Sequence, residues 1–213
     1  MKSIIIYGSG GLARETVELI EDINAVEPTW QIEGYIDDIK GENGEVINGR
    51  RILGTSERLK HLYAPTYIVL AMSDPSAKEK IYHTIKNYGN IRFATLMHPT
   101  ARIARNAAVG EGSIIGVDCI LSANVVVGKH VFLNMRTVIG HDTVVRDYSS
   151  CLVNCIIAGN VVIEERAFLG SNCVIMEKKT VGRGSKVSMG SVVDFDVEDG
   201  CVVMSRPSKS MKF

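Results

Sequence analysis

The chain has 213 residues, of which 46% are hydrophobic and 23% are charged, a composition that is typical of globular proteins and excludes intrinsic disorder. Its 24 Lys and Arg residues balance its 24 Asp and Glu residues, so the chain lacks the excess positive charge of general nucleic-acid-binding proteins. Because no apolar run approaches the roughly 20 residues that span a bilayer, and the first residues lack a secretory leader pattern, the sequence predicts a cytoplasmic protein without a membrane span.

Residues 1–92 alternate between strand and helix patterns. Short β-rich runs are followed by segments with helical apolar spacing, an order that is typical of a small parallel α/β unit. We therefore predict a Rossmann-like α/β domain over 1–92 and a linker over 93–102. The predicted elements are strands at Ser3–Tyr7, Trp30–Ile36 and Thr66–Ala71, and helices at Leu12–Asn24 and Pro75–Tyr88.

A strict six-residue period begins after Pro99. Every sixth position from Ile103 to Val193 is apolar, sixteen positions in succession, and the position four residues later is mostly small or β-branched. A six-residue unit is too short to fold alone, but three units form one 18-residue coil of a triangular solenoid. The pattern predicts an all-β coil over 103–204, followed by a tail at 205–213.

The five cysteines show no metal-ligand spacing. Most of them fall in the inward columns of the repeat, which predicts small buried side chains rather than disulfides or reactive thiols. The five are Cys119, Cys151, Cys155, Cys173 and Cys201.

A glycine-rich turn joins the first strand to the first helix. Backbone N–H groups at such a turn, with the helix dipole behind them, bind phosphates well, and acidic residues after the next strand can accept hydrogen bonds from a ribose or base. A plain tight turn, an NAD site, a solvated acidic turn and helix capping by Ser73 and Asp74 are the alternatives. The candidate substrate-binding residues, which would line an acceptor site if the protein transfers a group, are Gly8, Ser9, Gly10, Gly11, Asp37, Asp38 and Ser73.

His141 and Asp142 are the candidate catalytic pair. A neutral histidine can accept a proton near pH 7, and a carboxylate bonded to the other ring nitrogen would fix its tautomer. Adjacent side chains diverge on a regular strand, so adjacency alone does not ensure contact, and His141 could instead be an ordinary exposed coil residue. His130 has no acidic neighbour and is predicted at the surface, whereas His98 is predicted to have a structural role at the domain junction.

The unbroken [LIV]-[GAED]-x-x-[STAV]-x pattern resembles the hexapeptide repeat of left-handed parallel β-helix proteins, most of which are trimeric acyltransferases. The whole chain resembles the sialic acid O-acetyltransferase and UDP-4-amino-sugar N-acetyltransferase family of bacterial surface-glycan synthesis. Three features carry this narrower resemblance: the turn at Gly8–Gly11, the pair Asp37-Asp38 and the segment Asn134…Gly140-His141-Asp142.

The resemblance implies direct acetyl transfer from acetyl-CoA, without a metal, to a sugar or nucleotide sugar. His141 would be the general base, Asp142 would orient it, and the coenzyme would bind between neighbouring subunits of a homotrimer. N-acetylation of a UDP-4-amino sugar is favoured. O-acetylation of sialic acid or a related sugar, another acyl group or acceptor, a catalytically silent scaffold and a metal-dependent hydrolase are the alternatives. The implied coenzyme contacts are Ser150, Gly159, Ser171, Lys179 and Met189.

The sequence departs from the family pattern at three places. Leu12 stands where N-acetyltransferases of the family often carry a histidine, which leaves O-acetylation open. The segments 187–192 and 205–209 differ from the usual glycine-rich end and tail, which puts coenzyme contacts near Met189 and in the tail in question.

Overall fold

The computed structural model describes residues 1–41 and 44–205, which form an α/β domain followed by a left-handed parallel β-helix. Both halves of the predicted fold class are therefore confirmed. Residues 206–213, which make up nearly all of the predicted tail, lie outside the described residues.

The α/β domain contains a six-stranded sheet with two α-helices and a short 3-10 helix at Ser56–His61. Its helices are α1 (Gly11–Val26) and α2 (Pro75–Ile85). Its strands are β1 (Lys2–Tyr7), β2 (Trp30–Ile36), β3 (Val46–Ile47), β4 (Arg50–Gly54), β5 (Thr66–Leu70) and β6 (Ile91–Phe93). The strand order is β3–β4–β2–β1–β5–β6, with an antiparallel β3–β4 pair and parallel pairing elsewhere.

Local signals explain where these elements begin and turn. Asp74 caps α2, because its carboxylate accepts a 2.7 Å hydrogen bond from the Ala77 backbone N–H, and Pro75 occupies the first turn. The two-residue turn Asn48-Gly49 joins β3 to β4 with φ values of 46° and 73°, a conformation that suits these two residue types. The strands β3, β4 and β6 were not predicted from the sequence, because β3 and β6 are very short and β4 begins with two arginines, so none shows a clear apolar periodicity.

The β-helix has three flat faces built from two-residue strands, with one 18-residue coil between parallel partners. Face A consists of Leu96–Met97, Ile114–Ile115, Phe132–Leu133, Ser150–Cys151, Phe168–Leu169, Lys186–Val187 and Val202–Val203. Face B consists of Arg102–Ile103, Ile120–Leu121, Val138–Ile139, Ile156–Ile157, Val174–Ile175 and Val192–Val193. Face C consists of Ala108–Val109, Val126–Val127, Val144–Val145, Val162–Ile163 and Thr180–Val181.

The core of the coil is the apolar column that the six-residue period predicts. From Ile115 to Val193, every member of this column is at most 2% exposed. Each fully buried aliphatic side chain of this kind stabilises the fold by roughly 1.5–3 kcal/mol. Four of the five cysteines are buried as predicted, but Cys201, in the last coil that the structure describes, is exposed.

The corners between faces carry left-handed backbone residues at six-residue intervals. Non-glycine residues with φ between 53° and 62° recur from Asp118 to Lys178, and Asp142 is one of them with φ of 57°. Asn and Asp tolerate this conformation better than most residues, which accounts for their frequency at these positions. Side chains at equivalent corner positions of successive coils therefore stand one above another.

The α/β domain packs on face A. Leu96, Ile114 and Phe132 join the same apolar cluster as Val17 and Leu19 of α1. The Leu96–Met97 strand pairs with Ile114–Ile115, so the first pairing of the coil lies within the segment 93–102 that the sequence predicts as a linker.

Polar contacts cross the same boundary between the domains. His98 Nε2 lies 3.0 Å from Asp22 Oδ2 on α1, and Arg166 pairs with Glu79 on α2 at 3.0 Å. His98 is buried at the junction, as the structural role predicted for it requires.

His130 is buried at this boundary, so the prediction that it lies at the surface was wrong. It is 1% exposed and packs against Tyr82, Phe93 and Tyr148, with ring centroids 4.7, 4.8 and 5.6 Å away. Burial lowers the pKa of His130 to about 4, with the positive charges of Lys78 and Lys129 adding to the effect. The ring is therefore neutral at pH 7.

Candidate active site

His141 and Asp142 form a contacting pair at the corner between faces B and C. The left-handed backbone at Asp142 folds its carboxylate back, so that Oδ2 lies 2.8 Å from His141 Nδ1. The two side chains are 60% and 45% exposed. A carboxylate only accepts hydrogen bonds, so Nδ1 carries the proton when the ring is neutral and the lone pair lies on Nε2. This is the tautomer that a general base needs.

Asp142 is held ionised by its neighbours. Its Oδ1 accepts a 2.7 Å hydrogen bond from Asn124 Nδ2, one coil below. Hydrogen bonds from Asn124 and His141 lower the pKa of Asp142 below its usual value. The negative charge is therefore present across the neutral pH range, where it can stabilise a protonated imidazole.

Gly159 lies one coil above His141 on the same corner. A side-chain carbon at this position would come within 2.7 Å of His141 Nε2 and 2.8 Å of Cε1, which no real contact allows. The glycine therefore leaves the Nε2 side of the ring open to a reactant. The structure thus brings together His141, Asp142 and Gly159.

The other predicted coenzyme contacts lie apart from this group. Lys179 is at the same corner but two coils further along, whereas Ser171 and Met189 stack at the corner between faces A and B. Ser150 lies beneath the α/β domain with no exposed surface, and its hydroxyl accepts a 2.8 Å hydrogen bond from Lys78 Nζ. Ser150 therefore has no surface to offer a coenzyme in this arrangement.

The glycine turn opens a second part of the site in the α/β domain. A cavity of about 570 Å³ at the carboxyl edge of the parallel sheet is lined by all seven predicted acceptor-binding residues. Helix α1 begins at Gly11 and points its N-terminus at this cavity, where backbone N–H groups and the helix dipole favour a phosphate.

The two aspartates of this cavity are held by the protein itself. Asp37 accepts hydrogen bonds from the Ser9 hydroxyl and from the backbone N–H groups of Ile39 and Lys40. Burial alone would raise the pKa of Asp37, but these hydrogen bonds outweigh it and lower the pKa. Asp38 accepts from the Tyr7 hydroxyl and the Ser56 N–H. Both carboxylates are thus pre-oriented at the cavity wall.

A smaller apolar cavity of about 160 Å³ lies between α1 and the coil. Leu12 lines both cavities, so the two meet at the start of α1. At its other end the smaller cavity reaches Asn134 and Met135, at the corner between faces A and B. The smaller cavity of a chain therefore reaches one edge of face B, whereas His141 of the same chain stands at the other edge.

Two residues that contact the catalytic pair or hold the α/β domain on face A were not predicted from the sequence. Asn124 bonds Asp142, and the only sequence signal for it is its spacing of 18 residues from Asp142, one coil of the repeat. Lys78 is 1% exposed and bridges α2 to face A, whereas its place on an amphipathic helix gave no sign of burial.

Two classes of feature are missing from the part of the chain that the structure describes. Within residues 1–41 and 44–205, no group of three or more His, Cys, Asp or Glu side chains is placed to hold a metal ion. In the same residues, no helix combines the length and the hydrophobicity needed to cross a bilayer.

Comparisons with known protein families match both halves of the chain. Residues 3–85 match the PglD N-terminal domain, and residues 160–194 match the hexapeptide repeat of succinyl-transferase. GDP-perosamine N-acetyltransferase from Escherichia coli O157:H7 is 27% identical over 144 residues. The match covers 67% of this chain and 64% of that enzyme, so it spans just under two thirds of the relative's length.

Solved structures show the same fold. A histidine-to-asparagine mutant of perosamine N-acetyltransferase from Caulobacter crescentus, in complex with CoA and GDP-perosamine, has a TM-score of 0.87 at 20% identity, covering 95% of this chain and 93% of that one. The acetyltransferase domain of PglB from Neisseria gonorrhoeae FA1090, in complex with acetyl coenzyme A, has a TM-score of 0.85 at 24% identity and covers 99% of each chain. The chain thus combines a segment similar to the PglD N-terminal domain with a segment similar to the hexapeptide repeat, and it is similar in sequence to a sugar-nucleotide N-acetyltransferase.

Proposed function

We propose that the protein transfers the acetyl group of acetyl-CoA to the amino group of a nucleotide-linked sugar. The observation that carries the proposal is the exposed His141–Asp142 pair, with its 2.8 Å contact and with Nε2 facing the open side that Gly159 leaves. The N-acetyltransferase activity in the name of the 27% identical relative supports an amine as the acceptor, and its GDP-perosamine substrate supports a sugar nucleotide.

The pair fits direct transfer through a ternary complex. The acceptor amine attacks the thioester carbonyl, the new C–N bond forms, and His141 Nε2 takes a proton from the attacking nitrogen. Asp142 stabilises the imidazolium that results. When the tetrahedral intermediate collapses, the C–S bond breaks and the imidazolium returns the proton to the leaving thiolate. We assign stabilisation of the oxyanion to the Gly159 backbone N–H, because this residue lies beside Nε2.

The cavity of the α/β domain fits the nucleotide part of the acceptor. Gly10 and Gly11 present backbone N–H groups at the start of α1, where a pyrophosphate would be stabilised. Asp37 and Asp38 keep unused lone pairs at the cavity wall, because carboxylates have about four acceptor sites each and these use three and two. We assign the ribose or base to these two carboxylates.

The separation between the acceptor cavity and the His141–Asp142 pair supports an assembly of several copies. Within one chain the acceptor cavity is lined by the α/β domain alone, the smaller cavity beside it reaches the corner between faces A and B, and His141 stands at the corner between faces B and C. A threefold arrangement would set one corner of each chain against the other corner of its neighbour, which completes the site. Faces B and C carry exposed apolar side chains that a second copy would cover, and those at least 40% exposed are Ile120, Val126, Ile156 and Val192. The equally exposed apolar residues of face A, Met97 and Val202, lie in its first and last strands.

Replacing Ile156 with lysine tests the homotrimer. Ile156 is 44% exposed in the chain alone, and a charge at this point of face B would be buried at the interface without a partner. We expect the variant to elute as a monomer with little acetyl transfer, whereas wild type has three times the monomer mass by light scattering. Val26→Lys changes an equally aliphatic, 74% exposed residue on α1 and should remain trimeric. A trimeric Ile156→Lys protein would place the interface elsewhere.

The function itself is tested by incubating the protein with acetyl-CoA and a panel of acceptors, and by reading product masses and free CoA. The panel contains UDP- and GDP-linked 4-amino sugars, the same nucleotides with 4-hydroxy sugars, and sialic acid. We expect one acetyl group on an amino sugar nucleotide and none on its hydroxy counterpart. Acetylation of the hydroxy sugar or of sialic acid would replace N-transfer with O-transfer. Absence of both CoA binding and acetylation would favour a silent scaffold.

A further inference from the structure

A chain of side-chain hydrogen bonds runs up the corner that carries His141. Asn106, Asn124 and Asp142 are 18 residues apart, so they stand above one another on successive coils. Asn106 Nδ2 donates to Asn124 Oδ1, and Asn124 Nδ2 donates to Asp142 Oδ1 at 2.7 Å. The other carboxylate oxygen, Oδ2, faces His141 Nδ1 at 2.8 Å. Both amide donors in this series of hydrogen bonds point toward the carboxylate.

The direction of these hydrogen bonds matters because an amide can turn either its NH₂ group or its oxygen toward its neighbour. With Oδ1 of Asn124 occupied by the Asn106 donor, the NH₂ group is the end that faces Asp142. The reversed amide would set its oxygen against a carboxylate oxygen, which repels it. Because a carboxylate only accepts, Asp142 decides which end of Asn124 faces it, Asn106 satisfies the other end, and Asn124 in turn holds Asp142 Oδ1 in place.

The carboxylate needs such support because it is 45% exposed and lies at a corner rather than in a packed core. Without a donor on Oδ1, Asp142 could rotate away from the imidazole and bond to water. With a donor on each oxygen, rotation about the last side-chain bond breaks two hydrogen bonds. The contact between Oδ2 and Nδ1 is thus held from the side opposite to the histidine.

We propose that Asn124 is a positioning residue that aligns Asp142, and through it His141, for proton transfer. The inference depends on the proposed function, since it assigns Asn124 a part in the same reaction. Asn124 acts through Asp142 and need not touch either substrate.

The chain supplies a matched control on another corner. Asn154 Nδ2 donates to Asn172 Oδ1 at 2.8 Å, with the same spacing of 18 residues. Asn154 and Asn124 have φ values of 58° and 60°, so both have the left-handed backbone conformation. A glycine at either position removes the amide without backbone strain, because glycine adopts this conformation freely. The two substitutions therefore differ in whether the lost hydrogen bond reaches the catalytic pair.

The test compares Asn124→Gly and Asn154→Gly with wild type. For Asn124→Gly we expect kcat to fall about tenfold, the usual lower range for losing a residue that orients a reactive group, with KM for both substrates unchanged. Asn154→Gly changes the corner between faces A and B without removing a hydrogen bond of Asp142, so we expect a clearly smaller fall in kcat than for Asn124→Gly. Asn124→Gly loses two exposed amide hydrogen bonds and Asn154→Gly loses one, so their unfolding temperatures should differ by no more than about 4 °C. Equal kcat values, or a loss confined to KM, would overturn the proposal.

A second readout does not require turnover. Asp142 faces two groups, Asn124 and His141, and the Asn124 hydrogen bond is the larger cause of its lowered pKa. Carbon-detected NMR titration of the Asp142 carboxylate should show a higher pKa in Asn124→Gly and no change in Asn154→Gly. If the shift is absent, the proposed alignment is wrong. If the shift is present but wild type transfers no acetyl group, the alignment exists but its catalytic role is overturned together with the proposed function.

Discussion

Replacing His141 with alanine is expected to lower kcat for acetyl transfer by about 10² to 10⁴-fold, the range for loss of a general base, with little change in KM. The acceptor amine would keep its neighbours but would lose the group that takes its proton. The fold should survive, because the His141 side chain is 60% exposed and outside the apolar core of the coil. The measurement is a steady-state assay of CoA release beside a thermal unfolding curve.

Two further variants show whether the loss is specific. Asp142→Asn keeps the shape of the partner but removes its charge, so the imidazolium is no longer stabilised and a smaller fall in kcat is expected. His83→Ala removes an exposed histidine from α2 and should leave kcat unchanged. If His141→Ala retained wild-type kcat, the proton would have to leave through another group, and the assignment of His141 as the base would fail.

The sequence was sufficient to predict the coil because its core repeats. One apolar residue in every six, sustained from Ile103 to Val193, leaves few arrangements that bury every member, and the structure buries the column from Ile115 onward to 2% exposure or less. The strands and helices of the α/β domain that are long enough to show a period were also predicted. The Trp30–Ile36 strand has the predicted bounds, and α2 begins at the predicted Pro75.

Contacts between the two domains could not be read from local patterns. Lys78, His130 and Ser150 look like surface residues in their own segments, and each is buried only because α2 lies against face A. The same limit applies within the candidate site. Adjacency of His141 and Asp142 left their contact open, and the left-handed backbone at Asp142 decides it. Asn124 lies one coil below Asp142, so their contact can be recognised only when the 18-residue coil is known.

The buried amine of Lys78 should make the stability of the protein depend on pH. Its Nζ donates to the Ser149 carbonyl at 3.1 Å and to Ser150 Oγ at 2.8 Å. Burial lowers the pKa of Lys78 from 10.5 to about 7, although nearby Cys151 and Asp74 oppose the shift. The unfolded chain therefore binds more protons than the folded chain between pH 7 and 10.5, so stability rises with pH across this window. Below pH 7 this residue makes the fold less stable, by roughly 5 kcal/mol, than it is above pH 10.5.

Replacing Lys78 with methionine should therefore stabilise the protein most at low pH. The variant removes the penalty of burying a charge but leaves the Ser150 hydroxyl without its donor, which costs about 1–2 kcal/mol, so a net gain of about 3 kcal/mol and about 9 °C in unfolding temperature is expected at pH 6. At pH 10 wild-type Lys78 is neutral when folded, so the gain should be lost and the variant should be slightly less stable than wild type. Thermal unfolding at both pH values measures the difference, with Lys80→Met, an exposed lysine on the same helix, as the control. A gain of equal size at pH 6 and pH 10 would mean that methionine only packs better and that Lys78 titrates normally. A gain that falls between pH 6 and pH 10 would show that Lys78 titrates with a lowered pKa. The cause would be the burial of its amine between α2 and face A.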